Sequence, residues 1–219
     1  MIDYSKPDPR ALKGEWQAVV QTWDIEKIRQ VHNDRMARDK PVCEKVSGYH
    51  HLPGLSECHG ETLDVGCGNG EMLLGLFKYG RITKGIGIDI SDVMIARAKQ
   101  TAVNVGITEV QFIRIAFEHY EVDSLFDTII TNDILEHFFS VPWALDKLYS
   151  LIKPGGVLVG SVPIGQACDN KTHLHYFEKD DLLRLFNPMF IKIEIHKLYE
   201  NHLYFACWKG NNETIINGG

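Results

Sequence analysis

Long apolar runs are missing from this sequence. No stretch approaches the roughly 20 consecutive apolar residues that a bilayer-spanning helix needs, and the opening MIDYSKPDPR lacks the apolar core of a secretory signal. Cysteine pairing is missing as well. The 5 cysteines, Cys43, Cys58, Cys67, Cys168 and Cys207, are odd in number and widely spaced, with no CxxC. That pattern argues against a disulfide framework or a structural zinc site. It favours free thiols in a reducing compartment, so a cytoplasmic location is expected. Basic runs are absent too: 23 Lys and Arg face 29 Asp and Glu, a formal net charge of −6. Such a chain has no large electrostatic advantage on nucleic acid or on anionic membranes. There is no internal repeat and no low-complexity tract.

What is present suits a globular core. Hydrophobic residues make up 44% of 219 residues, enough for one domain with additional structure. The chain divides into three parts: a helical N-terminal extension or lid over 1–58, a ligand-binding domain over 59–210, and a frayed tail over 211–219. In the first part Trp16, Val19, Val20 and Trp23 recur near a 3.6-residue period, followed by Ile25, Ile28, His32 and Met36. Gly48, Pro53 and Gly54 mark a loop into the second part.

From Glu61 the pattern changes to strands alternating with helices. Strands are expected over 62–65, 85–89, 110–115, 126–130 and 157–162. Helices are expected after the first strand through Phe77, after Ser91 as N-cap, over 143–151 and near 180–185. The alternation implies an α/β, doubly wound, mostly parallel sheet. Two further strands, 190–198 and 202–208, are separated only by Tyr199-Glu200-Asn201. So short a connection permits only antiparallel pairing, which places a hairpin at one edge of the sheet.

Between the first strand and helix lies Glu61-Thr-Leu-Asp64-Val-Gly66-Cys67-Gly68-Asn-Gly70. Glycines there allow tight turns and close approach of a ligand to the main chain, and the helix start offers unpaired N–H groups. A dinucleotide fingerprint would need glycine at 71, where the chain has Glu71. No Gly-Lys-Ser/Thr follows, so a phosphate-binding loop fails as well. Asp64 and Glu71 suit a ligand carrying an ammonium group as well as a carboxylate. Asp89, about 20 residues on at a strand tip, sits where a ribose diol would lie. A nucleoside joined to an amino acid fits both ends, and S-adenosylmethionine is such a molecule.

The segments LDVGCGNGEML at 63–73, GIGIDIS at 85–91, FDTIITNDILEHF at 126–138 and LIKPGGVLVGSVP at 151–163 resemble the class I S-adenosylmethionine-dependent methyltransferase family. The likeness covers roughly residues 60–209 and points to a small-molecule, quinone-biosynthesis-like branch. It implies a Rossmann-like seven-stranded sheet ending in a reversed hairpin. It also implies S-adenosylmethionine as cofactor, and methyl transfer to an oxygen or nitrogen of a small-molecule acceptor. By resemblance, the backbone of Gly66, Cys67 and Gly68 approaches the methionine end, with Asp64 and Gly70 contributing. Asp89 holds the ribose, Ile90 flanks the adenine, and Ala116 and Phe117 meet the adenine edge. Many relatives carry an acid before that alanine, where this chain has Ile115. Asn132 lies beside the sulfonium.

The acceptor side is more open. A helix beginning near Asp133 would put Asp133, Glu136 and His137 on one face, and His173 and His175 follow the fifth strand. Three readings coexist. His137 or His175 is a general base for a hydroxyl acceptor. Alternatively, Asp133, Glu136, His137 and His175 form an oxygen and nitrogen site for a divalent metal. That spacing looks like sites in the small-RNA 2′-O-methyltransferase family and resembles the quinone-biosynthesis O-methyltransferases. Or the acids merely complement a helix N-terminus while His137 is held by hydrogen bonds. The catalytic expectation rests on His137 and His175, and no residue is assigned to a metal. Rival functions are metal-dependent RNA 2′-O-methylation, opposed by the charge of −6, and a binding module that keeps the cofactor without turnover.

Overall fold

The structure, a computed structural model, describes residues 3–8, 24–30, 33, 55–165, 172–198 and 201–211. Seven strands, β1 (Glu61–Val65), β2 (Lys84–Asp89), β3 (Val110–Arg114), β4 (Phe126–Asn132), β5 (Ile152–Pro163), β6 (Lys192–Leu198) and β7 (His202–Trp208), form one sheet in the order β3-β2-β1-β4-β5-β7-β6. β1 to β5 run parallel, and β7 is antiparallel to both β5 and β6. The strand order reverses between β1 and β4, where the chain leaves neighbouring strands in opposite directions and opens a crevice at their carboxyl ends.

Helices α1 (Glu71–Lys78) and α2 (Asp92–Val105) cover one face, and α3 (Val141–Leu151) and α4 (Lys179–Phe186) cover the other. Leu73, Leu74, Leu76, Ile95 and Ala98 pack with Ile130, Val157, Val159 and Ala206 on the first face. Val141, Leu145, Leu148, Leu182 and Phe186 pack with Leu63, Val65, Ile129 and Phe205 on the second. Side chains alternate along a strand, so each buried strand supplies both cores. The expected seven-stranded sheet and final hairpin are therefore present.

Local chemistry sets the boundaries. Ser91 caps α2, its hydroxyl accepting from the Met94 N–H, as expected. Ser140 caps α3, and Pro142 fits its first turn, so this helix starts two residues before Trp143. The Lys-Pro-Gly-Gly stop is absorbed into the start of β5, where the register against β4 shifts between Phe126 and Thr128. β6 begins at Lys192 rather than Phe190, because the Phe190 N–H still donates to the Phe186 carbonyl and its ring is buried. Among the described residues no helix is long and apolar enough to cross a membrane. Of the expected N-terminal helix, residues 25–30 are helical; Trp16, Val19, Val20, Trp23, His32, Met36, the loop glycines 48 and 54, and the tail beyond 211 lie outside the described residues.

Candidate active site

The crevice is built first by backbone. At the end of β1 the N–H groups of Gly66 and Cys67 both donate to the Ile88 carbonyl, at 2.8 and 3.0 Å. The chain then turns through Gly66, Gly68 and Gly70 with φ of 77°, 54° and 73°. Side chains rarely adopt that region. A β-carbon on Gly66 would meet Ile134 Cδ1 at 2.7 Å, and one on Gly70 would meet Phe112 Cζ at 2.5 Å. α1 starts immediately after, with Gly70 at its cap position and no side-chain cap.

Two carboxylates bracket the loop. Asp89, at the tip of β2, accepts from the Gly68 N–H at 2.9 Å and from the Ser91 N–H at 2.8 Å. It thereby ties the glycine turn to the cap of α2. Asp64 is buried beneath; burial first, and then the Asp89 charge, push its carboxyl up to about 7. The Cys67 thiol is raised by burial and by both acids, so it offers backbone rather than a thiolate. Asn132 ends β4. Its amide donates to Met72 Sδ on α1, while its buried Oδ1 has no hydrogen-bond partner.

The third wall carries Ile90, Ala116 and Phe117. Ile90 is partly buried beside Asp89, and the Ile115 N–H donates to the Asp89 carbonyl at 3.0 Å. Phe117 turns its ring into the core, 5.6 Å from Phe138, and Lys147 Nζ bonds its carbonyl at 2.8 Å. This segment therefore meets the crevice through Ala116 and main chain rather than through the Phe117 ring.

On the acceptor side the expected helix from Asp133 does not form. Asp133 has φ of 50°, and a short 3-10 turn over Leu135–His137 follows. Its N–H donates to the Ser161 carbonyl at 2.9 Å, and Ser161 Oγ donates back to Oδ1 at 2.8 Å. Bent in this way, Asp133 faces His202 Nε2 at 3.7 Å instead of sharing a face with Glu136 and His137.

Glu136 and His137 do come together, but their histidine partner is His173, not His175. His137 Nε2 and His173 Nε2 each lie 3.9 Å from Glu136 Oε1, with ring centroids 5.0 Å apart. Glu136 is fully buried, neither carboxylate oxygen has a hydrogen-bond partner, and burial reinforced by the Asp133 charge holds its pKa well above the usual range. His137 Nδ1 lies 2.8 Å from the Thr172 carbonyl, so it carries the proton and leaves the Nε2 lone pair toward Glu136. One carboxylate and two imidazoles with ligand atoms within 4.8 Å form a donor set that fits a divalent metal ion.

His175 is placed apart. Its Nε2 donates to the Phe138 carbonyl at 2.9 Å, its ring lies 5.6 Å from that of Tyr4, and burial keeps it neutral by lowering its pKa. The backbone N–H groups of Leu174 and His175 both reach the Glu136 carbonyl, which is how His173 is delivered to the cluster. Described parts of the N-terminal region pack onto the sheet domain: Tyr4 stacks on Phe177 at 5.3 Å, Asn33 accepts from Ser91 Oγ at 2.7 Å, and Arg29 pairs with Asp92.

Residues 57–212 match the family model described as a methyltransferase domain. The chain belongs to the methyltransferase-domain family. Within this family, it is 28% identical over 176 residues to the mitochondrial ubiquinone biosynthesis O-methyltransferase of Mus musculus, covering 77% of this chain and 45% of that one. A ubiquinone biosynthesis O-methyltransferase of Pseudoalteromonas translucida is 32% identical over 136 residues, 61% of this chain and 53% of that one. The chain thus spans about half the length of these curated relatives. The N-methyltransferase NodS from Bradyrhizobium japonicum WM9, solved with S-adenosyl-L-homocysteine, superposes with a TM-score of 0.58 at 16% identity, over 91% of this chain and 95% of that one. At that identity the likeness speaks for the fold alone.

Proposed function

We propose that this methyltransferase-family protein transfers a methyl group from S-adenosylmethionine to an oxygen or nitrogen of a small-molecule acceptor. The observation that carries the reading is the left-handed glycine turn at Gly66, Gly68 and Gly70, set between buried Asp64 and Asp89. The residues suit the ligand. A carboxyl pushed up to about 7 is stabilised in its charged form by an incoming ammonium. The unpartnered Asn132 Oδ1 offers a polar contact beside the sulfonium. Backbone at Gly66, Cys67, Gly68 and Gly70 holds the amino-acid end, Asp89 the ribose, and Ile90 with Ala116 and the Phe117 backbone the adenine.

When bound, the cofactor supplies a methyl group already activated on sulfur, so the protein has mainly to align and dehydrate. The N-terminal region over 1–58 serves as a lid over the 59–210 domain, onto which Tyr4 and Asn33 pack. His137 turns its Nε2 toward Glu136, 3.9 Å away, and contacts the acceptor or a metal there. His175 buttresses that cluster from behind. The net charge of −6 opposes a nucleic-acid acceptor, and the free Cys58, Cys67 and Cys207 among the described residues suit the cytoplasm. Calorimetric titration with S-adenosylhomocysteine tests the reading; micromolar binding supports it, and no binding removes it.

A second reading is supported by Glu136, His137 and His173: these hold a divalent metal that orients the acceptor oxygen. Titration with Mn²⁺ in the presence and absence of S-adenosylhomocysteine tests it.

A further inference from the structure

The Asp133 bend leaves a group of residues that neither the cofactor pocket nor the Glu136 cluster uses. Asp133 is a non-glycine residue in the left-handed region, a conformation that side chains rarely adopt. Two hydrogen bonds to Ser161, one main-chain and one side-chain, hold it there. Their effect is to aim Oδ1 at His202 Nε2, 3.7 Å away, while His202 Nδ1 is fixed at 3.0 Å from Asn201 Oδ1. The imidazole is thus held through Nδ1, Nε2 stands within ion-pair distance of a carboxylate that would pair with it once it is protonated, and the Asp133 side chain is 51% exposed.

The placement is that of the acceptor. β4 and β5 pair Asn132 with Ser161, and β5 and β7 pair Pro163 with His202, so all four residues stand at the carboxyl edge of the parallel strands. Strand alternation puts Asn132, Ser161 and His202 on one face, the face of Ile130, Val159 and Ala206 that α1 covers. Asp133 directly follows Asn132, the residue assigned to the sulfonium. Asp133 Oδ1 faces His202 Nε2, Tyr204 lies two residues on along the same face of β7, and Glu71 opens α1, the helix that covers that face. On β6 beside β7, His196 is paired with Glu194 at 3.8 Å, and the facing β5 residues Ser161 and Pro163 carry no titratable group.

We propose that His202, held at Nδ1 by Asn201 and paired by Asp133 once protonated, is the general base that takes the proton from a hydroxyl acceptor; this rests on the methyl-transfer reading above. The acceptor oxygen forms the new C–O bond to the methyl carbon as the C–S bond breaks, and that bond's electron pair stays on sulfur. The hydroxyl proton passes to His202 Nε2, the resulting imidazolium is paired by the Asp133 carboxylate, and the proton then leaves to solvent. His137, whose Nε2 addresses Glu136, is left to bind the acceptor rather than deprotonate it.

The test uses the full chain, S-adenosylmethionine labelled in the methyl group, and catechol, phenol and hydroquinone as probe acceptors, with S-adenosylhomocysteine affinity measured in parallel. His202→Gln is expected to lower kcat by about 100-fold or more, with KM and cofactor affinity within about twofold. Its pH–rate profile should lose the limb that reports deprotonation of the base, and imidazole should restore turnover to His202→Ala. Asp133→Asn, at an exposed position, should lower kcat about tenfold and serves should the His202 variants fail to bind the cofactor. Unchanged kcat in His202→Gln, with that limb lost in His137→Gln instead, overturns the proposal and leaves the methyl-transfer reading intact. Cofactor binding without methylation of any probe overturns it together with the hydroxyl-acceptor class. Failure of the native protein to bind S-adenosylhomocysteine overturns the methyl-transfer reading itself.

Discussion

The carboxylate of Asp89 accepts a hydrogen bond from the Gly68 N–H at 2.9 Å, joining the tip of β2 to the middle of the glycine turn. The same carboxylate accepts from the Ser91 N–H at the cap of α2. One side chain therefore sets the shape of the loop, and in the proposed reading the same acid meets the ribose. Asp89→Ala should reduce S-adenosylhomocysteine affinity at least tenfold, because hydrogen bonds to a charged group are each worth about 1.5–3 kcal/mol. It should also lower Tm, since two backbone donors lose their acceptor. Calorimetry and thermal unfolding check both; unchanged affinity would remove Asp89 from the ligand.

Asp64 gives a proton-linkage prediction. Its folded pKa of about 7 is raised above the ordinary value of 3.8. The folded protein thus binds more protons than the unfolded chain between those values, so stability falls as pH rises through that window. An ammonium-bearing ligand favours the carboxylate and lowers this pKa. Binding of S-adenosylhomocysteine near pH 6.5 should accordingly release protons, and more weakly near pH 8.5. Titration in buffers of differing ionisation enthalpy reads the proton count, and Asp64→Asn should abolish the release.

Two left-handed glycines should behave differently. At Gly70 a β-carbon meets Phe112 Cζ at 2.5 Å, whereas at Gly106 (φ 69°) nothing lies within 4 Å. Gly106→Ala should cost about 1 kcal/mol from backbone strain alone, with cofactor affinity intact. Gly70→Ala adds overpacking of about 1–3 kcal/mol and distorts the turn, so stability and affinity should fall together. Chemical denaturation with parallel titration separates the two.

The buried Glu136 cluster makes a prediction about metal. A divalent ion would satisfy both unpartnered carboxylate oxygens and favour the charged form. Mn²⁺ should raise Tm, and its affinity should strengthen as pH rises, since the ligands must lose protons to bind. Glu136→Gln should remove the metal effect while stabilising the metal-free protein, because it leaves no buried acid to ionise. His175→Gln should leave metal affinity within about threefold. A metal-induced rise in Tm unaltered by Glu136→Gln would place the ion elsewhere.

Much of the site was legible before folding. The glycine turn, Asp64, Asp89, the Ser91 cap and the strand-helix alternation are all short-range features, where residue type dictates φ, capping or burial within a few positions. The reversed hairpin was legible because three residues between 198 and 202 leave room for nothing else. The acceptor side was not. Helical spacing would unite Asp133, Glu136 and His137, but the left-handed turn at Asp133 breaks that face apart. Its cause is Ser161, 28 positions away in the chain.

The choice between His173 and His175 shows the same division. The spacing of the two histidines is identical in kind. Glu136 selects His173 because its carbonyl anchors the backbone at 174 and 175, while Tyr4 and the Phe138 carbonyl take His175 into the core. His202 had no motif at all; it reaches Asp133 through the antiparallel register that sets it opposite Pro163. The cofactor half of the crevice is thus written in local sequence, because a turn, a cap and a strand tip are governed by neighbouring residues. The acceptor half arises from contacts between distant segments, because side chains from β4, β5 and β7 meet only once the sheet has set their register.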